Sequence, residues 1–84
     1  MYKRKSANAN ETLTGIVTPI QWDDKGQVSA VALFATDDET YLIENGDKFL
    51  EVAQKPITAT GLVKRDKKAF KSIFIKRFDI LENF

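Results

Sequence analysis

The sequence predicts a small all-β barrel with one short helix. Five segments rich in β-branched and aromatic residues alternate with turn-forming residues, which is typical of consecutive strands. Only residues 47–54 space their apolar side chains with a helical period. Gly15 and Gly61 lie inside two of the strand segments, where the strongly coiled strands of a small barrel need residues without a side chain.

The length and composition restrict the classes of function. A chain of 84 residues holds one domain at most. It contains no Cys and no His, which excludes disulfides, thiolate nucleophiles and zinc–thiolate sites and removes the usual general base. Asp23, Asp24 and the acids of residues 37–39 have the positions of solvated turn residues rather than the spacing of a calcium loop. We therefore expect no enzymatic activity, no cofactor and no metal.

The first ten residues differ from the rest of the chain. Residues 1–10 are polar and aperiodic and carry Lys3, Arg4 and Lys5, so we expect a flexible basic tail before a domain of residues 11–84. No apolar segment follows this tail as it would in a signal peptide, and no apolar run reaches the roughly 18 residues of a membrane span. We expect no membrane contact and a cytoplasmic location, or a periplasmic one if a leader was removed.

The first three predicted strands cover residues 12–22, 27–35 and 40–44. Pro19 lacks a backbone donor, which predicts an edge position or a bulge in the first strand. The second and third strands lie close in sequence and are expected to form a hairpin. If Val31, Leu33, Tyr41 and Ile43 point inward, the outer face shows Ala30, Ala32, Phe34, Thr40 and Leu42.

A helix of two to three turns is expected next, before the last two strands. Asn45 or Asp47 would cap it, and Pro56 would end it. Residues 56–63 form the fourth strand, and residues 69–81 form the fifth after a basic turn. The apolar alternation of the fifth strand continues only if its register slips after Lys76, which predicts a bulge.

The succession of three strands, a short helix and two strands resembles the OB-fold, a five-stranded Greek-key barrel with a helix between strands three and four. Over residues 11–82 the chain resembles small stand-alone bacterial OB-fold proteins whose function is not characterised. The resemblance rests on the glycines and on the closing stretches Gly61-Leu-Val-Lys64, Ile73-Phe-Ile-Lys76 and Ile80-Leu81. The aromatic motif of cold-shock proteins is missing, since Lys68-Ala-Phe-Lys-Ser72 lacks its glycines. An SH3-like barrel is the alternative, and the helical period argues against it.

The charges divide into three blocks behind a formal net charge of +1. Residues 1–10 carry +3, residues 11–54 carry −7 and residues 55–84 carry +5. In OB-folds the loop between strands four and five flanks the usual ligand groove, and cations there suit phosphates. We therefore predict a non-enzymatic binding module, whose candidate residues for single-stranded DNA or RNA are Lys64, Arg65, Lys67, Lys68, Lys71 and Lys76, with Trp22 and Phe74 as stacking platforms.

Protein interaction is the alternative function. Asp23 and Asp24 place negative charge beside Trp22, and the near-neutral total charge is not the basic footprint of most nucleic-acid-binding domains. The stripe of Ala32, Phe34 and Leu42 fits a protein-binding patch. A strand-edge partner or a homodimer is a further possibility under this alternative.

Overall fold

The chain forms a closed five-stranded barrel in the computed structural model, which describes residues 8–65 and 71–82. The strands are β1 (Asn8–Trp22), β2 (Val28–Ala35), β3 (Thr40–Ile43), β4 (Pro56–Lys64) and β5 (Ser72–Ile80). Their order around the barrel is β1-β2-β3-β5-β4, with β4 pairing back to β1. Only the β3–β5 pair is parallel. The predicted all-β, OB-like barrel is thus confirmed, and β1 begins three residues inside the predicted tail.

β1 closes the barrel because it pairs with two strands along its length. Its first half pairs with β4 and its second half with β2, and Gly15 and Ile16 pair with both. A Cβ on Gly15 would collide with the carbonyl oxygen of Phe34, and one on Gly61 would collide with that of Phe74. The two glycines therefore stand where neighbouring backbones approach too closely for any side chain.

Both predicted bulges are present. The β1–β2 register shifts between Pro19 and Gln21, and the β4–β5 register shifts opposite Thr60 and Gly61, so that Lys76 has no partner on β4. Beyond Lys76, the ring of Phe78 packs edge-on against Phe49 with centroids 4.9 Å apart.

The short helix predicted between the third and fourth strands is not one continuous helix of two to three turns. Two separate 3₁₀ turns, Gly46–Lys48 and Leu50–Val52, occupy its place. The side chain of Asn45 does not cap the first turn, because it bonds to β5 instead. Phe49, between the turns, is drawn into the core and is only 3% exposed, which ties the middle of this short connection to the barrel. Among the described residues, no helix has the length and apolar character that crossing a membrane requires.

The core fills the inside of the barrel with apolar side chains from every strand. The four residues expected to point inward from β2 and β3 are buried, which confirms that expectation. On β4 every second residue is buried, as the alternating pattern predicts. The cluster consists of Val17, Val31, Leu33, Tyr41, Ile43, Phe49, Ile57, Ala59, Val63, Ile73 and Ile75.

Candidate nucleic-acid interface

The lysines described at the ends of the basic β4–β5 connection are paired with carboxylates. The ammonium of Lys64 lies 3.5 Å from Glu44, and that of Lys71 lies 3.1 Å from Glu39. Glu44 also accepts a hydrogen bond of 2.6 Å from Ser72. Exposed pairs of this kind are worth about 0–1 kcal/mol and leave the lysines partly available to another anion. The predicted binding residues Lys67 and Lys68 lie outside the described residues.

Arg65 is held much more firmly than the lysines. Its guanidinium makes a bidentate contact with Glu11, with Nη2 donating to Oε1 at 2.8 Å. Nη2 also donates to the hydroxyl of Tyr41 at 3.1 Å, and the guanidinium lies 5.5 Å from the centre of that ring. The Tyr41 hydroxyl in turn donates to Asp37 at 2.8 Å. These four side chains form one connected group, and Arg65 is thereby committed to protein partners.

The ionisation of this group follows its contacts. The hydrogen bond from Arg65 holds the pKa of Glu11 below its ordinary value, and the hydrogen bond from Tyr41 does the same for the pKa of Asp37. Burial is the main cause that raises the pKa of Tyr41. The bond to Glu11 raises the pKa of Arg65. At neutral pH the group therefore holds two carboxylates, one guanidinium and one neutral phenol.

A second basic region, which we call the β5 cleft, lies on β5 beside the first 3₁₀ turn. It has a volume of about 570 Å³ and combines three cations with two exposed aromatic rings. None of its lining residues is acidic, and Lys48, Lys76 and Arg77 form no ion pair within the part of the chain that the structure describes. The lining residues are Asn45, Lys48, Phe49, Phe74, Ile75, Lys76, Arg77 and Phe78.

The bulge in β5 brings these side chains together. Before the bulge the strand alternates, so Ile75 is buried while Phe74 is 43% exposed. At the bulge Lys76 leaves the β4 ladder, and Lys76, Arg77 and Phe78 are all exposed. Asn45 fixes the opposite wall, since its side-chain amide donates to the carbonyl of Ile75 at 2.9 Å and accepts from the N–H of Ile75 at 3.0 Å.

Trp22 lies apart from this cleft, at the end of β1, where it pairs with Val28. It is 56% exposed and lines none of the described clefts. The neighbouring Asp23 shapes the turn, because its carboxylate accepts hydrogen bonds of 2.9 Å from the N–H groups of Lys25 and Gln27. Of the two predicted stacking platforms, only Phe74 shares a cleft with cations.

The outer face of β2 and β3 carries an apolar depression of about 400 Å³. Ala32 lines the depression but is only 1% exposed, so the expected outer stripe of Ala32, Phe34 and Leu42 is not exposed at this residue. Leu42 and Ile20 stand at its sides, and Lys71 lies at its rim. Phe34, the third residue of the predicted patch, is 47% exposed on the same face but does not line the depression.

The predicted site residues are thus distributed over three places. The β5 cleft contains Lys76 and Phe74. Carboxylates pair with Lys64, Arg65 and Lys71. Trp22 lies outside the described clefts. Sequence reasoning missed Lys48, Arg77 and Phe78. The predicted register slip after Lys76 is a usable signal for Arg77 and Phe78, whereas nothing in the local sequence brings Lys48 to β5.

Comparisons with family models, with curated proteins and with solved structures return no match to this chain.

Proposed function

We propose that the protein is a non-enzymatic binding module that holds single-stranded nucleic acid in the β5 cleft. One observation carries the proposal: three cations without a described acidic partner surround exposed Phe74 and Phe78 in one cleft. Single-stranded nucleic acid offers the matching chemistry, because phosphates pair with cations while unstacked bases stack on aromatic rings. The proposal keeps the predicted ligand and moves the centre of its site from the β4–β5 connection to β5.

The expected binding is weak and depends strongly on salt. Each phosphate neutralised on a single strand contributes about −0.7 to the slope of log affinity against log salt, so three cations give a slope near −2. Stacking of one base on Phe74 adds about 1–3 kcal/mol. The lysines beside the carboxylates of the β4–β5 connection add less, because a phosphate must first displace Glu44 or Glu39.

The test is a fluorescence-anisotropy titration with a labelled single-stranded oligonucleotide of about ten nucleotides, which is within the range that one OB-fold covers. Lys76→Glu should weaken binding and flatten the salt dependence, and Phe74→Ala should weaken it about tenfold with the salt dependence unchanged. Lys71→Glu is the matched control, since it makes the same charge change at a lysine paired with Glu39. Equal losses for Lys76→Glu and Lys71→Glu, or no binding by the wild type at low salt, would overturn the proposal.

Protein interaction through the apolar depression is the second candidate function. It is favoured by the apolar lining between Ile20, Ala32 and Leu42, which suits an aliphatic side chain of a partner. A photo-crosslinking residue in place of the exposed Phe34 would report on a bound protein. A crosslink that is lost in Leu42→Lys but kept in Phe74→Lys supports this function, and a crosslink that both variants retain contradicts it.

A further inference from the structure

The edge of β5 that faces away from β4 is open over its second half. β3 covers this edge only at Ser72 and Ile73, and the side chain of Asn45 covers it at Ile75. On this edge no described strand pairs with residues 76–80, and all five residues are exposed. An exposed strand edge of this kind is a template for pairing with another strand.

The backbone groups that point out from this edge can be identified. The N–H of Leu81 donates to the carbonyl of Pro56 at 2.9 Å, so Leu81 directs its backbone groups towards the strand that contains Pro56. Because backbone direction alternates along a strand, Asp79 and Arg77 also face β4. Phe78 and Ile80 therefore turn their N–H and C=O groups to the open edge.

The side chains on either side of Phe78 are complementary in charge to those of a second, antiparallel copy of the same segment. An antiparallel second copy centred on Phe78 places Arg77 of each copy opposite Asp79 of the other, and the two Phe78 side chains face each other. Centring on Arg77 would oppose two arginines, and centring on Asp79 would oppose two aspartates. Opposite charges in directly facing positions stabilise a strand pair and like charges destabilise it, so only one of these three registers is favoured.

We propose that two copies of this chain form a two-fold symmetric dimer by antiparallel pairing of β5 with β5, centred on Phe78. Such an interface is isologous, as in most homodimers. Arg77 and Asp79 are both exposed, and within residues 8–65 and 71–82 neither forms an ion pair. Phe78 and Ile80 are 37% and 45% exposed, and pairing removes part of this apolar surface from water.

The dimer does not require nucleic-acid binding in the β5 cleft. The paired strand takes up the edge that borders the β5 cleft, so dimer formation and oligonucleotide binding are expected to compete. The dimer is therefore measured on the full chain without nucleic acid.

The test is sedimentation velocity over a range of protein concentrations. The wild type should shift from monomer to dimer as its concentration rises. Arg77→Asp places an aspartate opposite Asp79 of the other copy, twice in the dimer. Asp79→Arg likewise places an arginine opposite Arg77 twice. Each single variant should therefore remain monomeric. The double variant Arg77→Asp with Asp79→Arg restores opposite charges in the same register and should dimerise again.

A second variant tests the backbone pairing itself. Ile80→Pro removes an N–H that faces the open edge, and every N–H donor of the β4–β5 ladder stays in place. The substitution should therefore block the dimer, while circular dichroism shows that the fold is retained. A wild type that stays monomeric, or a dimer that survives both single charge reversals, would overturn the inference. Asp79→Arg also separates the two proposals, because it should abolish the dimer while leaving oligonucleotide binding intact or stronger.

Discussion

The side chain of Asn45 pairs with the backbone of β5 where β3 has already ended. β3 ends at Ile43, yet the side-chain amide of Asn45 makes hydrogen bonds to both the N–H and the C=O of Ile75, which a longer β3 would otherwise have to pair. Its carboxamide presents an N–H donor and an acceptor oxygen on the same side, which match the C=O and N–H of Ile75 and which neither Asp nor Ala can reproduce. It thereby extends the β3–β5 pairing and fixes the wall of the β5 cleft.

Replacement of Asn45 should lower the stability of the barrel. Asn45→Ala removes both bonds and leaves the polar groups of Ile75 unpaired, which should reduce the free energy of unfolding by about 1–3 kcal/mol. Asn45→Asp keeps an acceptor and should lose less. Urea unfolding measures both effects, with Asn10→Ala at an exposed position of β1 as the control. Equal losses for Asn45→Ala and Asn10→Ala would show that the two bonds contribute nothing.

Glu11 makes stability depend on pH in the acid range. Its pKa is lowered in the folded state, chiefly by the hydrogen bond from Arg65, so the folded state favours the ionised form. This contribution is fully present above the ordinary pKa of 4.5 and is lost as the pH falls through the lower folded value. The wild type should therefore lose more stability on acidification than Glu11→Gln, when urea midpoints are compared at neutral pH and below pH 4.5. Parallel pH profiles would contradict this.

Strands were easier to predict than the segment between β3 and β4. Alternation along β4 depends only on which residues face the core, and the bulge at Lys76 follows from a break in that alternation. The spacing of Phe49, Leu50 and Ala53 fits one face of a helix, but the connection must also bring Phe49 into the barrel and Asn45 to β5. Tertiary contacts of this kind override local period, and two 3₁₀ turns result.

The coiling of β1 and β4 depends on two glycines. Gly15→Ala or Gly61→Ala would press a Cβ against a backbone carbonyl of the neighbouring strand, which cannot move without breaking the ladder. We expect each substitution to cost about 2–3 kcal/mol or more, as other overpacked sites do. Gly26→Asn is the control, because Gly26 has φ of 81°, which Asn tolerates, and open space around it. Thermal unfolding with all three midpoints equal would contradict the steric argument.

The charge distribution of the folded molecule differs from the charge distribution along the chain. The acidic block of residues 11–54 and the basic block of residues 55–84 are separate in sequence, but the barrel places Glu11 of β1 beside Arg65, which is 54 positions away. Such pairs neutralise the described cations of the β4–β5 connection and leave the cations of the β5 cleft without a described acidic partner.

The fold class could be predicted because it depends on the alternation of apolar residues and on turn-forming residues. Of the residues in the candidate site, only Lys76 and Phe74 could be predicted, because the positions of the others depend on which parts of the chain become neighbours.

The hydrogen-bonded ladders that close the barrel differ greatly in length, and the shortest ladder is where we expect local unfolding to begin. β1 and β4 pair over nine positions, whereas β3 and β5 pair over two and add only the Asn45 side chain. The N–H groups of Leu42 and Glu44 bond across this seam, to Lys71 at 2.9 Å and to Ile73 at 2.8 Å. Since a short ladder costs less to break, local opening should begin there.

Hydrogen exchange followed by NMR should resolve this opening. The amides of Leu42, Glu44 and Ile75 are expected to exchange faster than those of β4 in the wild type, and Asn45→Ala should accelerate the three seam amides more than any amide of β4. If the β5 cleft binds its ligand across the closed seam, saturating oligonucleotide should slow the same three amides in the wild type. Uniform exchange of all strand amides, unchanged in its distribution by Asn45→Ala, would instead mean that the barrel opens only as a whole and that Asn45 stabilises every ladder equally.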